Sequence, residues 1–385
     1  MQGFDVQPRT RLIFGAGVLA RIGELAQGLS VKRVLIVTDM GIVKAGIVSR
    51  AVDALESAGL QVVVFDKVHE NPTTEDVAAC LEVARACQIE AFIGLGGGSS
   101  LDTAKGCNFL LTNGGKMQDY WGVNLATKPM LPLIAVPTTS GTGSECQSFA
   151  LISHAESHKK MACGDVKAAP RIALLDPELT LSQPRFVTAC TGVDAITHAI
   201  ETAVTLKRTP YSQLFSREAF CLTIHNLKRV LTNPEDLEAR GEMQLGAAYA
   251  GIAIEASMLG AAHSMANPLT ARFGTVHGQA VGMMLPAIVR YNAQEPEIAA
   301  LYRDLSISAG LVISDADVNT ALNALVKALE AVLDVAGFPR SLSALGITTD
   351  IISTLAEEAS HQWTATFNPR PITASDFEAL YRQTL

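Results

Sequence analysis

Residues 91–105 read AFIGLGGGSSLDTAK, and this stretch decides the fold. A short apolar run leads into three consecutive glycines, Gly96, Gly97 and Gly98, and then into a helix expected to start near Ser100. Glycines let the backbone approach a ligand closely, and a helix N-terminus offers N–H groups and a positive dipole end. We therefore expect a phosphate or pyrophosphate site here. The alternative, a plain strand-to-helix turn, needs one glycine rather than three.

The surrounding sequence alternates between β-branched runs and amphipathic stretches, which is typical of a parallel sheet with crossover helices. The expected strands are 34–38, 61–65, 91–95 and 133–136, and the expected helices are 46–57, 74–87 and 101–112. Beyond residue 175 helical patterns take over, among them a single buried helix over 242–266 and a helix over 316–335 with one polar face. We predict a parallel α/β domain over residues 1–183 and an all-α domain over residues 184–385.

Composition excludes several classes of protein. The 385 residues carry 30 basic and 38 acidic side chains, a formal charge of −8, so no general attraction to nucleic acid is expected. No apolar run approaches the ~20 residues of a membrane span, and we expect no cleaved targeting segment. The seven cysteines are odd in number and form no CxxC pair, which favours reduced thiols in a cytoplasmic protein.

Two further features at strand ends favour a nucleotide ligand. Asp39 follows the strand 34–38, where an acid can accept a ribose 2′-hydroxyl and repel a 2′-phosphate, favouring NAD over NADP. A turn or helix-cap role is the commoner alternative for such an aspartate. Residues 137–145, PTTSGTGSE, follow the strand 133–136 and can donate several hydrogen bonds to a polar ligand.

A carboxylate and three histidines in the helical half suggest a metal site. Asp194 and His198 are four residues apart, which places both on one face of a helix. His263 lies in the expected buried helix and His277 opens the next one, so a helical hairpin could bring the two imidazoles together. One carboxylate and three imidazoles suit iron(II) or zinc. A hydrogen-bonded core histidine remains the alternative at each position.

With these motifs in place, the chain resembles the iron-containing, or group III, alcohol dehydrogenases. The motifs that carry the resemblance are GGGSSLDTAK at 96–105, PTTSGTGSE at 137–145, GVDAITHAIE at 192–201, H-x13-HG at 263–278 and NPRP at 368–371. The resemblance implies that the α/β domain over residues 1–183 is a Rossmann-like dinucleotide-binding domain and that residues 184–385 form an all-α metal-binding and substrate domain. It implies NAD(P) and a divalent metal, Fe²⁺ or Zn²⁺, in a hydride transfer between a small alcohol and its aldehyde or ketone. It also implies a homodimer or a larger homo-oligomer.

The resemblance carries over residue by residue. It implies that the metal ligands are Asp194, His198, His263 and His277, and that Gly97, Gly98, Ser99, Thr138, Thr139 and Lys160 bind the cofactor. Of these, residues 97–99 correspond to the pyrophosphate contacts and Lys160 to a lysine near the ribose. We add Asp39, from its position at a strand end, and Asp102 to the expected cofactor-binding residues.

The sequence departs from the family pattern in three places. Most members carry a second histidine four residues after the ligand, and here Asn267, our candidate for a catalytic position, replaces it and cannot titrate. Ile254 and Glu255 replace an aromatic and a small polar residue, so Phe149 and Ile254 are expected to line an altered substrate pocket. The acid usual before NPR is also absent. A non-redox lyase or cyclase on the same scaffold, or a catalytically silent nucleotide-binding protein, therefore remain alternatives.

Overall fold

The computed structural model describes residues 3–157 and 159–385. Among them, Val6–Gln183 forms one compact unit, and Pro184–Leu385 together with residues 3–5 forms a second. The first unit contains the sheets, whereas residues 184–385 form helices and connecting segments without a strand.

The first unit alternates strands with helices. Its strands are β1 (Arg11–Phe14), β2 (Arg33–Val37), β3 (Gln61–Phe65), β4 (Ala91–Gly96), β5 (Gly122–Val123), β6 (Leu133–Pro137), β7 (Phe149–Ser153), β8 (Lys160–Gly164) and β9 (Ile172–Leu175). Its helices are α1 (Ile22–Gln27), α2 (Met40–Lys44), α3 (Ile47–Ser57), α4 (Thr74–Ala86) and α5 (Gly98–Asn113). The expected parallel α/β architecture is confirmed.

The main sheet of the described residues is parallel throughout and has the order β1-β9-β6-β4-β2-β3. The chain passes from β2 outward to β3 and then returns to place β4 on the other side of β2. The carboxyl ends of β2 and β4 therefore form a topological switch point, which is where open α/β sheets bind their ligands. A smaller sheet has the order β5-β8-β7.

The main sheet is covered on both faces, as an apolar parallel sheet requires. Successive residues of β2 point to opposite cores: Leu35 and Val37 join one apolar cluster, and Val34 and Ile36 join the other. All six residues of β4 are buried. The helix after it begins at Gly98, two residues before the expected start, so that Gly98 and Ser99 belong to its first turn.

The second unit is all helical, as expected. Its helices are α6 (Arg185–Val204), α7 (Pro210–Thr232), α8 (Leu237–Ser257), α9 (Ala261–Phe273), α10 (His277–Asn292), α11 (Pro296–Ser308), α12 (Val318–Ala336), α13 (Ile352–Ser360) and α14 (Ala374–Gln383). Helix α6 packs against α7, α8 and α10 around a single apolar core. Helix α12 buries Leu325, Leu329 and Leu333, which lie four residues apart.

The expectation of one buried helix over 242–266 is wrong. Helix α8 ends at Ser257, α9 begins at Ala261, and the chain bends by 106° between them. The break is local to the backbone, since Met258 has a positive φ of 81° and Gly260 precedes the new helix. Apolar residues on both sides hide it from a periodicity analysis. Among the described residues, no single helix has the length and apolar composition of a membrane span. Helices α8 and α9 have that length and composition only when they are counted as one segment.

Candidate functional site

The two loops suspected of ligand binding lie side by side in the first unit. The glycine loop follows β4 and residues 137–145 follow β6, and β4 and β6 are hydrogen-bonded neighbours. The loops are also linked directly, because the Thr138 N–H donates to the Gly96 carbonyl over 2.9 Å. Thr138 is buried and Thr139 half-buried. The expectation that both loops occupy neighbouring strand ends is met.

The three glycine positions of the first loop differ in whether the backbone or the packing requires a glycine there. Gly96 has a φ of +153°, a backbone conformation that favours glycine. A Cβ on Gly98 would lie 2.7 Å from Thr142 Cγ2, so glycine lets the two loops touch. Gly97 has neither constraint: its φ is −74°, and a Cβ there would lie 3.4 Å from Thr139 Cγ2, an ordinary contact. Neither packing nor backbone conformation therefore requires a glycine at position 97.

Asp39 lies beside this loop and also caps a helix. Its Oδ1 accepts hydrogen bonds from the Gly41 and Ile42 N–H groups, at 2.7 and 3.2 Å, at the start of α2. Its Oδ2 would lie 3.5 Å from a Cβ on Gly96, at the switch point of the sheet. The capping role is thus real, and it leaves the carboxylate next to the glycine loop.

Asp102 is placed differently from the other expected cofactor-binding residues. It is 9% exposed; its Oδ1 accepts from Ser144 Oγ over 2.7 Å, and its Oδ2 accepts from the Leu151 N–H over 3.2 Å. Burial raises the pKa of this carboxyl, and Lys105 opposes the rise. Both oxygens are engaged inside the protein, so Asp102 supports the second loop.

Lys105 is a buried cation that the sequence analysis did not single out. Its Nζ donates to the Ser144 carbonyl over 2.6 Å, to Ser144 Oγ over 2.7 Å and to the Phe149 carbonyl over 2.9 Å. Its spacing of three residues from Asp102 was the available signal. Lys105 therefore ties α5 to the second loop and to β7.

The second loop ends in a buried acid. Glu145 is 2% exposed, and burial raises the pKa of its carboxyl to about 7, against the opposing effects of its own backbone N–H and of Lys105. This carboxyl is therefore poised to change charge near neutral pH.

The remaining expected residues of this unit lie on the small sheet. Lys160 is exposed at the start of β8 and pairs in register with Ser153. It is close enough to Asp102 to lower the pKa of that carboxyl. Phe149 begins β7, and its ring lies over the position that a Cβ on Gly164 would occupy.

In the second unit, the expected metal ligands converge on one atom. Asp194 Oδ1 lies 3.3 Å from His198 Nε2, 3.5 Å from His263 Nε2 and 3.8 Å from His277 Nε2. Ligand atoms of Asp194, His263 and His277 all lie within 4.8 Å of one another. Three separate helices, α6, α9 and α10, supply these side chains.

A close helix contact brings His277 into the cluster. Gly278 follows it at the start of α10, and a Cβ on Gly278 would overlap the carbonyl of Cys190 on α6. Glycine after the histidine therefore lets α10 begin directly against α6. This is a physical reason for the HG pair in the sequence.

The charges and unpaired atoms of this cluster fit a cation. Asp194 Oδ1 and His263 Nε2 are buried without a hydrogen-bond partner among the described residues. Burial by itself raises the pKa of Asp194, but the histidines, His198 first, lower it below its ordinary value. Burial by itself lowers the pKa of His263, yet Glu201 and Asp194 raise it to about 9. The site thus favours positive charge, which a divalent metal would supply in place of a proton.

Glu201 is the contact of this cluster that the sequence analysis missed. Its Oε2 lies 2.6 Å from His263 Nδ1, on the side of the ring opposite Asp194. Its signal was its position on α6, three residues after His198 and seven after Asp194, which places all three on one helix face.

Asn267, the expected pocket residue Ile254 and the nearby Thr364 have ordinary protein surroundings in this unit. The Asn267 side chain is half-buried and donates to Gln362 Oε1 over 2.9 Å. Ile254 is 3% exposed in α8, so it lies mostly in the interior. Thr364 Oγ1 is 2.8 Å from Ser264 Oγ, next to His263.

Comparison with known proteins covers almost the whole chain. A family model described as iron-containing alcohol dehydrogenase matches residues 8–177, and a model of the C-terminal region of the Fe-containing alcohol dehydrogenase family matches residues 188–385. Alcohol dehydrogenase 4 of Schizosaccharomyces pombe is 34% identical over 97% of this chain and 87% of its own. The NAD-dependent methanol dehydrogenase of Bacillus methanolicus is 32% identical over 100% of both chains. A crystal structure of 1,3-propanediol oxidoreductase superposes with a TM-score of 0.95, at 31% identity and 100% coverage of both chains.

Proposed function

Because this chain belongs to the iron-containing alcohol dehydrogenase family, we propose that its two clusters hold NAD and a divalent metal for one reaction. The protein is an oxidoreductase that interconverts a small alcohol and its aldehyde or ketone. The relatives are named as alcohol dehydrogenases or aldehyde reductases, and the lyase or cyclase alternative receives no support from them.

The first unit supplies the proposed cofactor site. Gly97, Gly98 and Ser99 at the start of α5 would hold the pyrophosphate, because the first turn of a helix presents backbone N–H groups and a positive dipole end. Thr138 and Thr139 would contact the cofactor from the second loop. Asp102 acts beneath them by fixing that loop.

The same unit gives the proposed preference for NAD over NADP. The Asp39 carboxylate beside Gly96 would accept a ribose hydroxyl and repel a 2′-phosphate. Lys160 on β8 is proposed to lie near the ribose. Phe149 and Ile254 are proposed to contribute to the substrate pocket.

The second unit supplies the proposed metal site. Asp194, His198, His263 and His277 would hold Fe²⁺ or Zn²⁺. The observation that carries this proposal is the convergence of their ligand atoms on the buried Asp194 Oδ1, which has no hydrogen-bond partner among the described residues. A metal held by these residues would supply a Lewis acid for the substrate oxygen, and a bound nicotinamide would supply the hydride acceptor or donor. Asn267 cannot move a proton by titration, so its amide would orient substrate while another group carries the proton.

The metal site is tested by removal and replacement. We expect protein stripped with a chelator to lose turnover of NADH with short aldehydes and of NAD with short alcohols, and to regain both with Fe²⁺ or Zn²⁺. His277→Ala should bind metal more weakly, whereas His225→Ala, on α7 with its ring on the Ala309 carbonyl, should bind it normally. Full activity in the stripped protein would refute the metal site, and parallel assays with NADPH decide the cofactor preference.

The cell location and assembly are part of the proposal. All seven cysteines are free thiols in the described residues, which supports a cytoplasmic protein. Family membership supports a homodimer or a larger homo-oligomer.

A further inference from the structure

One buried carboxylate, Glu201, connects the proposed metal site to the start of a helix. The residue is 3% exposed in α6. Its Oε1 accepts from the Ala262 N–H over 2.7 Å, and its Oε2 accepts from the Gly260 N–H over 3.1 Å and contacts His263 Nδ1 at 2.6 Å. A single side chain thus holds the first turn of α9 and the far nitrogen of a proposed ligand.

The contact with His263 determines which ring nitrogen is available to a metal. A carboxylate has no proton to donate, so the nitrogen facing Glu201 must be the one that carries the hydrogen. The lone pair of the neutral ring then lies on Nε2, which faces Asp194 Oδ1 at 3.5 Å and has no hydrogen-bond partner among the described residues. Glu201 therefore selects the tautomer in which the inward nitrogen can bind a cation.

The surroundings of Glu201 are built for a buried carboxylate. A Cβ on Gly260 would lie 3.0 Å from Glu201 Oε1 and 3.3 Å from Asn368 Oδ1. The absence of a side chain at Gly260 therefore lets the Glu201 carboxylate and the Asn368 amide oxygen both reach the start of α9. Asn368 Oδ1 accepts from the Ala261 N–H over 3.4 Å. The positive end of the α9 dipole further favours an acid here. Asn368 is the first residue of the NPRP motif, so this network places the start of that motif beside Glu201.

We propose that Glu201 is a positioning residue for the metal. It fixes His263 in the ligating tautomer and anchors α9 so that Nε2 faces Asp194. The inference rests on the proposed metal site and adds a residue outside its ligand set. Groups that hold a ligating histidine in this way typically contribute 10- to 100-fold in metal affinity.

The decisive variant is Glu201→Gln, which keeps the size of the side chain and one acceptor oxygen. With the amide oxygen in the Oε1 position, on the Ala262 N–H, the amide NH₂ faces His263 Nδ1, which must then accept. The ring proton then moves to Nε2 and blocks ligation. We expect Zn²⁺ affinity, measured against a chromophoric chelator, to fall about 10- to 100-fold, and the visible spectrum of bound Co²⁺ to change. The unfolding temperature of the metal-free protein should be measured alongside.

Glu358→Gln is the matched control, because Glu358 pairs with Arg272 at the opposite end of α9. It should bind Zn²⁺ like the wild type. Zn²⁺ affinity of Glu201→Gln within twofold of the wild type, with an unchanged Co²⁺ spectrum, overturns the inference alone. Failure of the wild type itself to bind Zn²⁺ or Fe²⁺ overturns the proposed metal site as well.

A second variant decides the matter if Glu201→Gln does not fold. Gly260→Ala places a methyl group 3.0 Å from Glu201 Oε1 and displaces the carboxylate without touching a proposed ligand. We expect weaker Zn²⁺ binding than in the wild type. Equal binding would count against the role of Glu201.

Discussion

The variant Gly97→Ala tests whether position 97 carries glycine for ligand binding or for stability of the fold. Alanine adopts the backbone of this residue, φ −74° and ψ −175°, without strain, and its methyl would lie 3.4 Å from the nearest atom, Thr139 Cγ2. We therefore expect the free energy of unfolding to change by less than about 1 kcal/mol. The same methyl would occupy space that a pyrophosphate needs. Overpacking of about 1–3 kcal/mol there weakens NADH binding about 5- to 150-fold.

The assay is a titration followed by the fluorescence of bound NADH, with thermal unfolding measured on the same preparations. Gly98→Ala is the matched comparison, because its methyl would lie 2.7 Å from Thr142 Cγ2. That variant should lose about 1–3 kcal/mol of stability as well as affinity. If Gly97→Ala binds NADH as tightly as the wild type, residue 97 does not face the cofactor and the proposed pyrophosphate site is misplaced.

Two further predictions concern protons. The free energy of unfolding should fall as pH rises from 4.5 to about 7, because over that range Glu145 keeps in the folded protein a proton that it has released in the unfolded chain. The loss in free energy of unfolding is about 3 kcal/mol at most. The unfolding temperature of Glu145→Gln should therefore exceed that of the wild type by a margin that grows from pH 5 to pH 8, whereas the control Glu70→Gln, in an exposed loop, should show no such trend. A pH-independent difference between Glu145→Gln and the wild type would contradict this. Asn267→His should add an ionisation near pH ~6.5 to the pH profile of kcat/KM, and an unchanged profile would argue that residue 267 is remote from the proton path.

The parallel sheet and its ligand loops could be predicted because their signals are local. The predicted strands β2, β3, β4 and β6 are short apolar runs, and the glycines that the proposed ligand would require lie at the end of β4. Strands β1 and β9 of the same sheet were not predicted. The start of α5 was predicted two residues too late. Glycine and serine occur in a loop as readily as in the first turn of a helix, so the sequence does not show that α5 begins at Gly98. The Asp194 and His198 pair was also local, being one turn of α6.

The distant partners of Lys105 could not be predicted. Lys105 bonds to Ser144 and Phe149, about forty positions away. Its spacing of three residues from Asp102 is a local signal, but it does not indicate these distant acceptors. A buried ammonium needs several acceptors to offset desolvation, and these acceptors come from another part of the chain. The sequence therefore indicates the cofactor loops but not the charged residues that support them.

The break between α8 and α9 and the burial of Glu201 depend on each other. A helix continuing through residues 258–262 would use its N–H groups internally, and the Glu201 carboxylate would then be buried without donors, at a cost of several kcal/mol. Ending α8 at Ser257 and restarting at Ala261 exposes N–H groups at Gly260 and Ala262, which Glu201 accepts. His263 becomes the third residue of the new helix and so falls within reach of the same carboxylate. The sequence signal for the break is thus a glycine and a glutamate fifty-nine positions apart, which no local pattern could relate.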